Sequence, residues 1–285
     1  MNVLIFTPAP PGSTRGNRIT AERWAGLLQS VGHAVAIVDP STKVPFESLA
    51  AAPDVLIAIH ATRSAAIVDE FRRTFPHQPI VLCLSGTDIH RDLAGQRDAA
   101  AQQAALAATR QANRLICLES ESPKSLPAEL RAKVNVVHQS ARQANEPAAP
   151  SDGCFEICVI GHLRAVKDPF LAAEAVQLLP QTSRVQLLQA GDALDPELAE
   201  MARAESERNP RYQWSGSLSH DNSLRLISRC RLMVLTSRSE SAPSVISEAV
   251  VAGTPLLATR IAGVCLLYTS PSPRDATLSR MPSSA

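Results

Sequence analysis

Two glutamates with seven residues between them, Glu240 and Glu248, are the side chains best placed for chemistry on a hydroxylated anion. They stand in Ser239-Glu240-Ser241-Ala242-Pro243-Ser244-Val245-Ile246-Ser247-Glu248-Ala249, after the apolar run Leu232 to Leu235 and before Gly253-Thr254-Pro255. Read as strand, loop and helix, the segment puts Glu240 in the loop and Glu248 about one turn into the helix, so both face one cleft. Ligands of open α/β sheets bind in such a cleft, at the carboxyl ends of the strands. A carboxylate there accepts hydrogen bonds from vicinal hydroxyls, while the helix start at Ser244 and Val245 offers free N–H groups to a diphosphate. Taken alone, Glu248 reads as a solvated helix glutamate.

A second set of side chains fits the same anion. Val159-Ile160-Gly161-His162-Leu163-Arg164-Ala165-Val166-Lys167-Asp168-Pro169 runs from a strand into a loop and then a helix. Arg164 can fork onto phosphate oxygens and Lys167 adds a compact charge, so together they suit a departing diphosphate. A surface Arg–Lys pair would be ordinary without the glutamates. Nearer the start, Pro11-Gly12-Ser13-Thr14-Arg15-Gly16-Asn17-Arg18 reads as a flexible, anion-suited loop after the first strand. It has no GxGxxG and is not a dinucleotide fingerprint. His60-Ala61-Thr62-Arg63-Ser64 ends the third strand, and Ser85-Gly86-Thr87-Asp88-Ile89-His90-Arg91-Asp92 ends the fourth. Three strand ends then converge on one crevice. Individually, His60 reads as a satisfied structural histidine and Asp88 as a helix cap.

The elements that must position these groups follow from short apolar runs. Val3 to Phe6, Ala34 to Val38, Val55 to Ile59, Ile80 to Leu84, Leu115 to Leu118 and Val134 to Val137 are spaced as strands of a parallel, doubly wound sheet. The stretch 139–153 has linker composition. Strands resume at Phe155 to Ile160, Val185 to Leu188, Tyr212 to Trp214, Leu232 to Leu235 and Pro255 to Ala258. Helices are expected over Thr20 to Val31, with Trp24, Leu27, Leu28 and Val31 on the buried face, and over Gln96 to Ala112, Phe170 to Leu179, Pro196 to Asn209 and Asn222 to Cys230. The expectation is an α/β protein with a first domain over 1–138, a linker over 139–153 and a second, incomplete domain over 154–264.

The glutamate pair, with Arg164 and Lys167, resembles the retaining glycosyltransferases of family 4. That resemblance implies the GT-B fold, in which two Rossmann-like domains face each other across a cleft. It implies that Glu248 holds the ribose of a nucleotide, that Glu240 reaches the donor sugar, and that Arg164 and Lys167 meet the diphosphate, with Ser244 and Val245 beside it. The family often carries Gly after the first Glu, where Ser241, Ala242 and Pro243 stand here. Arg211 to Leu218 is similar to the segment that passes the nucleotide base. RGNRIT, AIHATRSA, LSGTDIHRDL, VVHQS, GHLRAVKDPF and SRSESAPSVISEA resemble one branch, the selenosugar synthases of selenoneine biosynthesis. The implied reaction transfers a hexosyl group, such as N-acetylglucosamine from its UDP donor, to selenophosphate. The UDP-sugar is then a substrate, and no cofactor or metal is implied. Arg15, Gly16, Arg18, Arg63, Thr87 and Arg91 become the acceptor residues, and His60, Asp88 and Glu240 the catalytic group. Since selenium is already an anionic nucleophile, His60 would position the acceptor or assist later loss of phosphate.

Composition narrows the partners. With 28 Lys and Arg against 27 Asp and Glu, the net charge is +1, so no broad field favours nucleic acid or a membrane surface. The opening residues lack a basic n-region, and Pro8 and Pro10 interrupt them, which reads as a cytoplasmic protein with small-molecule partners. Cys83, Cys117, Cys154, Cys158, Cys230 and Cys265 form no CxxC pair and read as reduced core thiols. Nothing in the pattern sets the oligomeric state. Rival readings are a family-4 enzyme acting on a lipid or polysaccharide, an epimerase on the same architecture, and an inactive nucleotide-sugar-binding fragment. From Cys265 the text changes character: Cys265 to Asp275 back-translates to the mosaic end and read primer of a transposase sequencing adapter, and Ser279 to Ala285 to a further adapter segment in the same frame. A non-native tail over 265–285, replacing a natural continuation beyond Val264, is therefore expected.

Overall fold

The computed structural model describes residues 1–42, 46, 51–240, 242–261 and 264. The adapter-like stretch 265–285 lies outside the described residues, as does Ser241. The N-terminal half contains β1 (Asn2–Phe6), α1 (Gly16–Ser30), β2 (Ala34–Val38), β3 (Val55–Ile59), α2 (Ala65–Thr74), β4 (Ile80–Leu84), α3 (Ala99–Gln111), β5 (Arg114–Cys117), α4 (Ala128–Arg131) and β6 (Val134–Val136). Its six strands are all parallel, in the order β2-β1-β3-β4-β5-β6. The C-terminal half contains β7 (Phe155–Ile160), α5 (Leu171–Gln177), β8 (Val185–Ala190), α6 (Pro196–Arg208), β9 (Tyr212–Trp214), α7 (His220–Arg229), β10 (Leu232–Leu235), α8 (Ser244–Ala252) and β11 (Leu256–Ala258). Its five strands are also parallel, in the order β11-β10-β7-β8-β9. Residues 137–154, between the sheets, contain no helix or strand.

Strand side chains alternate between faces, so each sheet buries two layers. In the first, Leu4, Leu56, Leu82 and Leu115 pack with Val68 and Phe71 of α2 and Ala105 and Ala108 of α3. Val3, Ile5, Ile59 and Cys83 turn the other way, onto Ala21 and Ala25 of α1. In the second, Ile157, Val159 and Leu187 pack on Ala172, Ala173 and Val176 of α5, whereas Cys158, Leu188 and Met233 meet Ile227 of α7 and Ala249 of α8. Helices on both faces are what a parallel sheet requires, because neither face can be left to water.

The expected strands form, with ends that move by a residue or two. The expected face of α1 is different. The helix begins at Gly16, and its buried residues are Thr20, Ala21 and Ala25. Trp24 and Leu28 pack only in part, while Leu27 is 43% exposed and Val31, beyond the last turn, is 68% exposed. Small side chains at i and i+4 let the helix axis approach the sheet closely, which turns the larger residues toward the rim. Starting at Gly16 also places Gly16, Asn17 and Arg18 in an ordered helical turn, not in a flexible loop. Of the cysteines, Cys83, Cys117, Cys158 and Cys230 are buried free thiols; Cys154 is only half-buried, and Cys265 lies outside the described residues.

Both sheets reverse their strand order once, and this determines where a site can form. In the first sheet, β2 and β3 flank β1, so the chain leaves β1 and β3 on opposite sides and a crevice opens at their carboxyl ends. In the second, the reversal falls between β7 and β10. The loops at these two places carry Arg15 and the His60–Arg63 turn on one side, and Arg164, Lys167 and Glu240 on the other.

Candidate active site at the cleft between the sheets

A cleft of about 470 Å³ is lined from both halves by residues at the strand ends. Arg15, Gly16, His60, Arg63, Thr87 and Arg91 form one wall. Arg164, Lys167, Glu240, Ser244, Val245 and Glu248 form the other. Two of the expected residues, Arg18 and Asp88, are not in its lining.

Asp88 is fully buried and faces backbone. Its carboxylate accepts from the N–H groups of Ala61 at 2.8 Å, Ser85 at 2.9 Å and Gly86 at 2.8 Å. These bonds tie the loop after β3 to the loop after β4, so Asp88 builds the wall without facing the cleft. It is the first residue of a single π-helical turn, Asp88–Leu93, whose N-cap is Thr87. Arg18 pairs with Glu22 at 2.6 Å, one turn along α1, and lies 3.9 Å from Asp39 past the end of β2. Its guanidinium is occupied away from the crevice.

His60 is buried with a left-handed backbone, φ 75°, a strained conformation for a residue with a Cβ. Its Nε2 lies 3.0 Å from the Thr87 hydroxyl, and its Nδ1 accepts from the Arg63 backbone N–H at 3.4 Å. The second contact needs a bare Nδ1, so Nε2 carries the proton and donates to Thr87. Burial holds the His60 pKa below its ordinary value; Asp88 acts against that and Arg63 with it. The ring is thus neutral near pH 7, and the 4.0 Å approach of Nδ1 to Asp88 is not an ion pair.

The cations of this wall crowd one another. Burial, then the positive charges of Arg15 and Arg91, holds the Arg63 guanidinium below its ordinary pKa; Arg164 contributes from across the cleft. Arg91 leans on the buried Asp92 at 3.0 Å, but Arg15, Arg63 and Arg164 make no ion pair among the described residues.

On the other wall both carboxylates have partners. Lys167 forms an ion pair with Glu240, whose carboxylate also accepts from Ser237 Oγ at 2.7 Å. Glu248 is 5% exposed and lies 3.0 Å from His220 Nε2. Between the two carboxylates starts α8, capped by Pro243 with no side-chain hydrogen bond, so its first N–H groups open on the cleft at Ser244 and Val245. The floor is made of glycine backbone: a Cβ at Gly191, whose φ is 151°, would stand 1.9 Å from the Gly161 carbonyl oxygen. Ser217 and Leu218 also line the cleft, whereas Trp214 lies outside its lining and packs in part on the α5 layer, its indole N–H donating to the Gly191 carbonyl at 3.0 Å.

Among the lining residues that carry no signal in the sequence are His162, Gly191 and His220. His162 stands in the segment of Arg164 and Lys167, one residue after Gly161; its Nδ1 is buried without a partner, and burial keeps its pKa low, opposed by Asp192 and aided by Arg15. His220 sits in SLSHDNS, a polar run with no spacing signal. Among the described residues no three His, Cys, Asp or Glu side chains gather as a metal site, and no helix is long and apolar enough to cross a membrane.

Comparison with known proteins agrees with this geometry. Residues 140–269 match the family model described as Glycosyl transferases group 1. The whole chain is similar to the crystal structure of HepE from Anabaena in complex with UDP and glucose, with TM-score 0.70 and 19% identity over 93% of this chain and 82% of that one. It is similar also to sucrose-phosphate synthase from Thermosynechococcus elongatus, with TM-score 0.68 and 16% identity over 92% of this chain and 82% of that one. A third similar structure is OtsA in its apo form, with TM-score 0.67 and 12% identity over 94% and 86% of the two chains. The chain therefore has the GT-B fold, and its residues 140–269 are similar to the glycosyl transferases of group 1.

Proposed function

We propose that the chain transfers a hexosyl group, N-acetylglucosamine from its UDP donor, to selenophosphate. The observation that carries the acceptor half of this reading is the arginine cluster of the N-terminal wall. Among the described residues Arg15 and Arg63 make no ion pair with a carboxylate, and burial and like charge weigh on Arg63. Such a cluster favours a small, highly charged anion, because each added negative charge relieves repulsion already present. The opposite wall suits the donor. Glu248 would accept from ribose hydroxyls, the start of α8 and Arg164 would hold the diphosphate, and Glu240 would meet the sugar.

In this reaction the bond from the anomeric carbon to the UDP oxygen breaks as the carbon–selenium bond forms, and the electron pair leaves with UDP. Arg164, Lys167 and the α8 N–H groups would stabilise that charge. Lys167 already holds Glu240, so donor binding gives its ammonium a second anionic partner. A selenium anion brings its own electron pair and needs no general base. That fits a neutral, hydrogen-bonded His60, whose part is then to orient Thr87 and the Arg63 turn.

The test is incubation of the protein with UDP-N-acetylglucosamine and selenophosphate, followed by mass spectrometry. The expected products are UDP and an N-acetylhexosaminyl selenophosphate, or the selenosugar and phosphate left once water hydrolyses its selenium–phosphorus bond. Transfer to a neutral sugar or lipid, with none to selenophosphate, would overturn the acceptor while leaving the donor site in place.

A further inference from the structure

The Glu248 carboxylate is the most enclosed acidic group in the cleft lining, and His220 supplies the only side-chain hydrogen bond it makes among the described residues. The ring is held by ordered structure. It is the first residue of α7, preceded by Ser219, whose hydroxyl accepts from the Asn222 N–H at 3.2 Å, and α7 packs through Ile227 on Ala249 of α8. Imidazole and carboxylate are thus fixed on two helices that pack on each other.

A second cavity, about 440 Å³, lies beside the cleft between α1, the segment after Val136 and the starts of α7 and α8. His220 and Glu248 line both spaces. A glutamate has three rotatable bonds, and the side cavity gives this one room to turn away from the cleft. The bond from His220 Nε2 to Glu248 Oε1 opposes that. It leaves Oε2, and the second lone pair of Oε1, free to accept from two neighbouring hydroxyls.

We propose that His220 is a positioning residue that keeps the Glu248 carboxylate turned to the cleft, and that this bond gives the site its preference for a ribonucleotide over a 2′-deoxyribonucleotide. The inference rests on Glu248 meeting the nucleoside sugar. A carboxylate set for two vicinal hydroxyls gains from both, and an analogue lacking one leaves a buried lone pair unmatched. Without His220 the carboxylate can still meet one hydroxyl but is no longer set to take both at once, and the distinction fades.

Calorimetric titration of UDP and 2′-deoxy-UDP tests this on the wild type, His220→Ala, His220→Gln and Glu248→Ala. Wild type is expected to favour UDP by about tenfold, and His220→Ala to lose about that factor on UDP with little change on 2′-deoxy-UDP. His220→Gln, whose amide N–H can reach the same oxygen, recovers part of the preference. Equal losses on both nucleotides, as a general loosening of the fold would give, overturn the proposal, and so does an unchanged preference in His220→Ala. If Glu248→Ala keeps the preference, the assignment of Glu248 to the ribose fails. If Glu248→Ala loses it and His220→Ala does not, only the role of His220 fails.

Discussion

The two walls of the cleft handle charge in opposite ways. The C-terminal wall pairs its carboxylates, Glu240 with Lys167 and Glu248 with His220, so both are held and aimed before any ligand arrives. The N-terminal wall leaves Arg15 and Arg63 near each other with no ion pair among the described residues, and turns the buried Asp88 onto backbone N–H groups instead. Carboxylates held in this way accept from the hydroxyls of a ligand with little rearrangement. A wall of crowded cations stores repulsion that only an anion relieves. In the proposed reaction this difference, and not the fold, would tell donor from acceptor, since both walls stand at the same kind of strand-order reversal.

Breaking one wall while sparing the other gives the largest expected effect. Gly191→Ala would force a Cβ to 1.9 Å from the Gly161 carbonyl, a backbone clash that no rotamer relieves. UDP affinity is expected to fall by about a hundredfold or more, with a lower melting temperature, since overpacking against backbone costs about 1–3 kcal/mol or more. Near-wild-type UDP binding by calorimetry would show that the floor of the cleft is not the glycine contact described.

A smaller effect sharpens the account of the opposite wall. His60 is held neutral by burial, so its folded pKa lies below the 6.5 of the free side chain. Between those two values the unfolded chain binds more protons than the folded one, and stability falls as pH drops below about 6.5. The melting temperature of the wild type should therefore decline on acidification through that range. His60→Asn, which tolerates the left-handed backbone, should flatten the decline by about a few degrees. An unchanged slope in the variant would place the titration elsewhere.

Much of this was legible in the amino-acid order, and the exceptions have physical causes. Strands such as Ala34–Val38, Val55–Ile59 and Phe155–Ile160 stand out because a parallel sheet covered on both faces needs unbroken apolar runs. Glu240 and Glu248 stand out because one loop and one helix carry both. Helix α2 is short, its apolar residues gathered in Ala65 to Val68 with Phe71 one turn on, and its entry is braced by Ser64 Oγ on the Ile59 carbonyl, a contact with no counterpart in periodicity. Asp88 and Arg18 keep the types and spacing of site residues, yet nearby backbone and acidic groups claim them first. His220 gains its meaning from a residue 28 positions away, which spacing along the chain cannot show.

The division of labour between the walls is tested most directly by UDP titration calorimetry on Glu248→Ala and Arg63→Ala side by side. Glu248→Ala should weaken UDP by about tenfold or more, and Arg63→Ala should leave UDP within about twofold of wild type while weakening the anionic acceptor. Equal weakening of UDP by both substitutions, or by Arg63→Ala alone, would contradict the assignment of donor and acceptor to opposite walls.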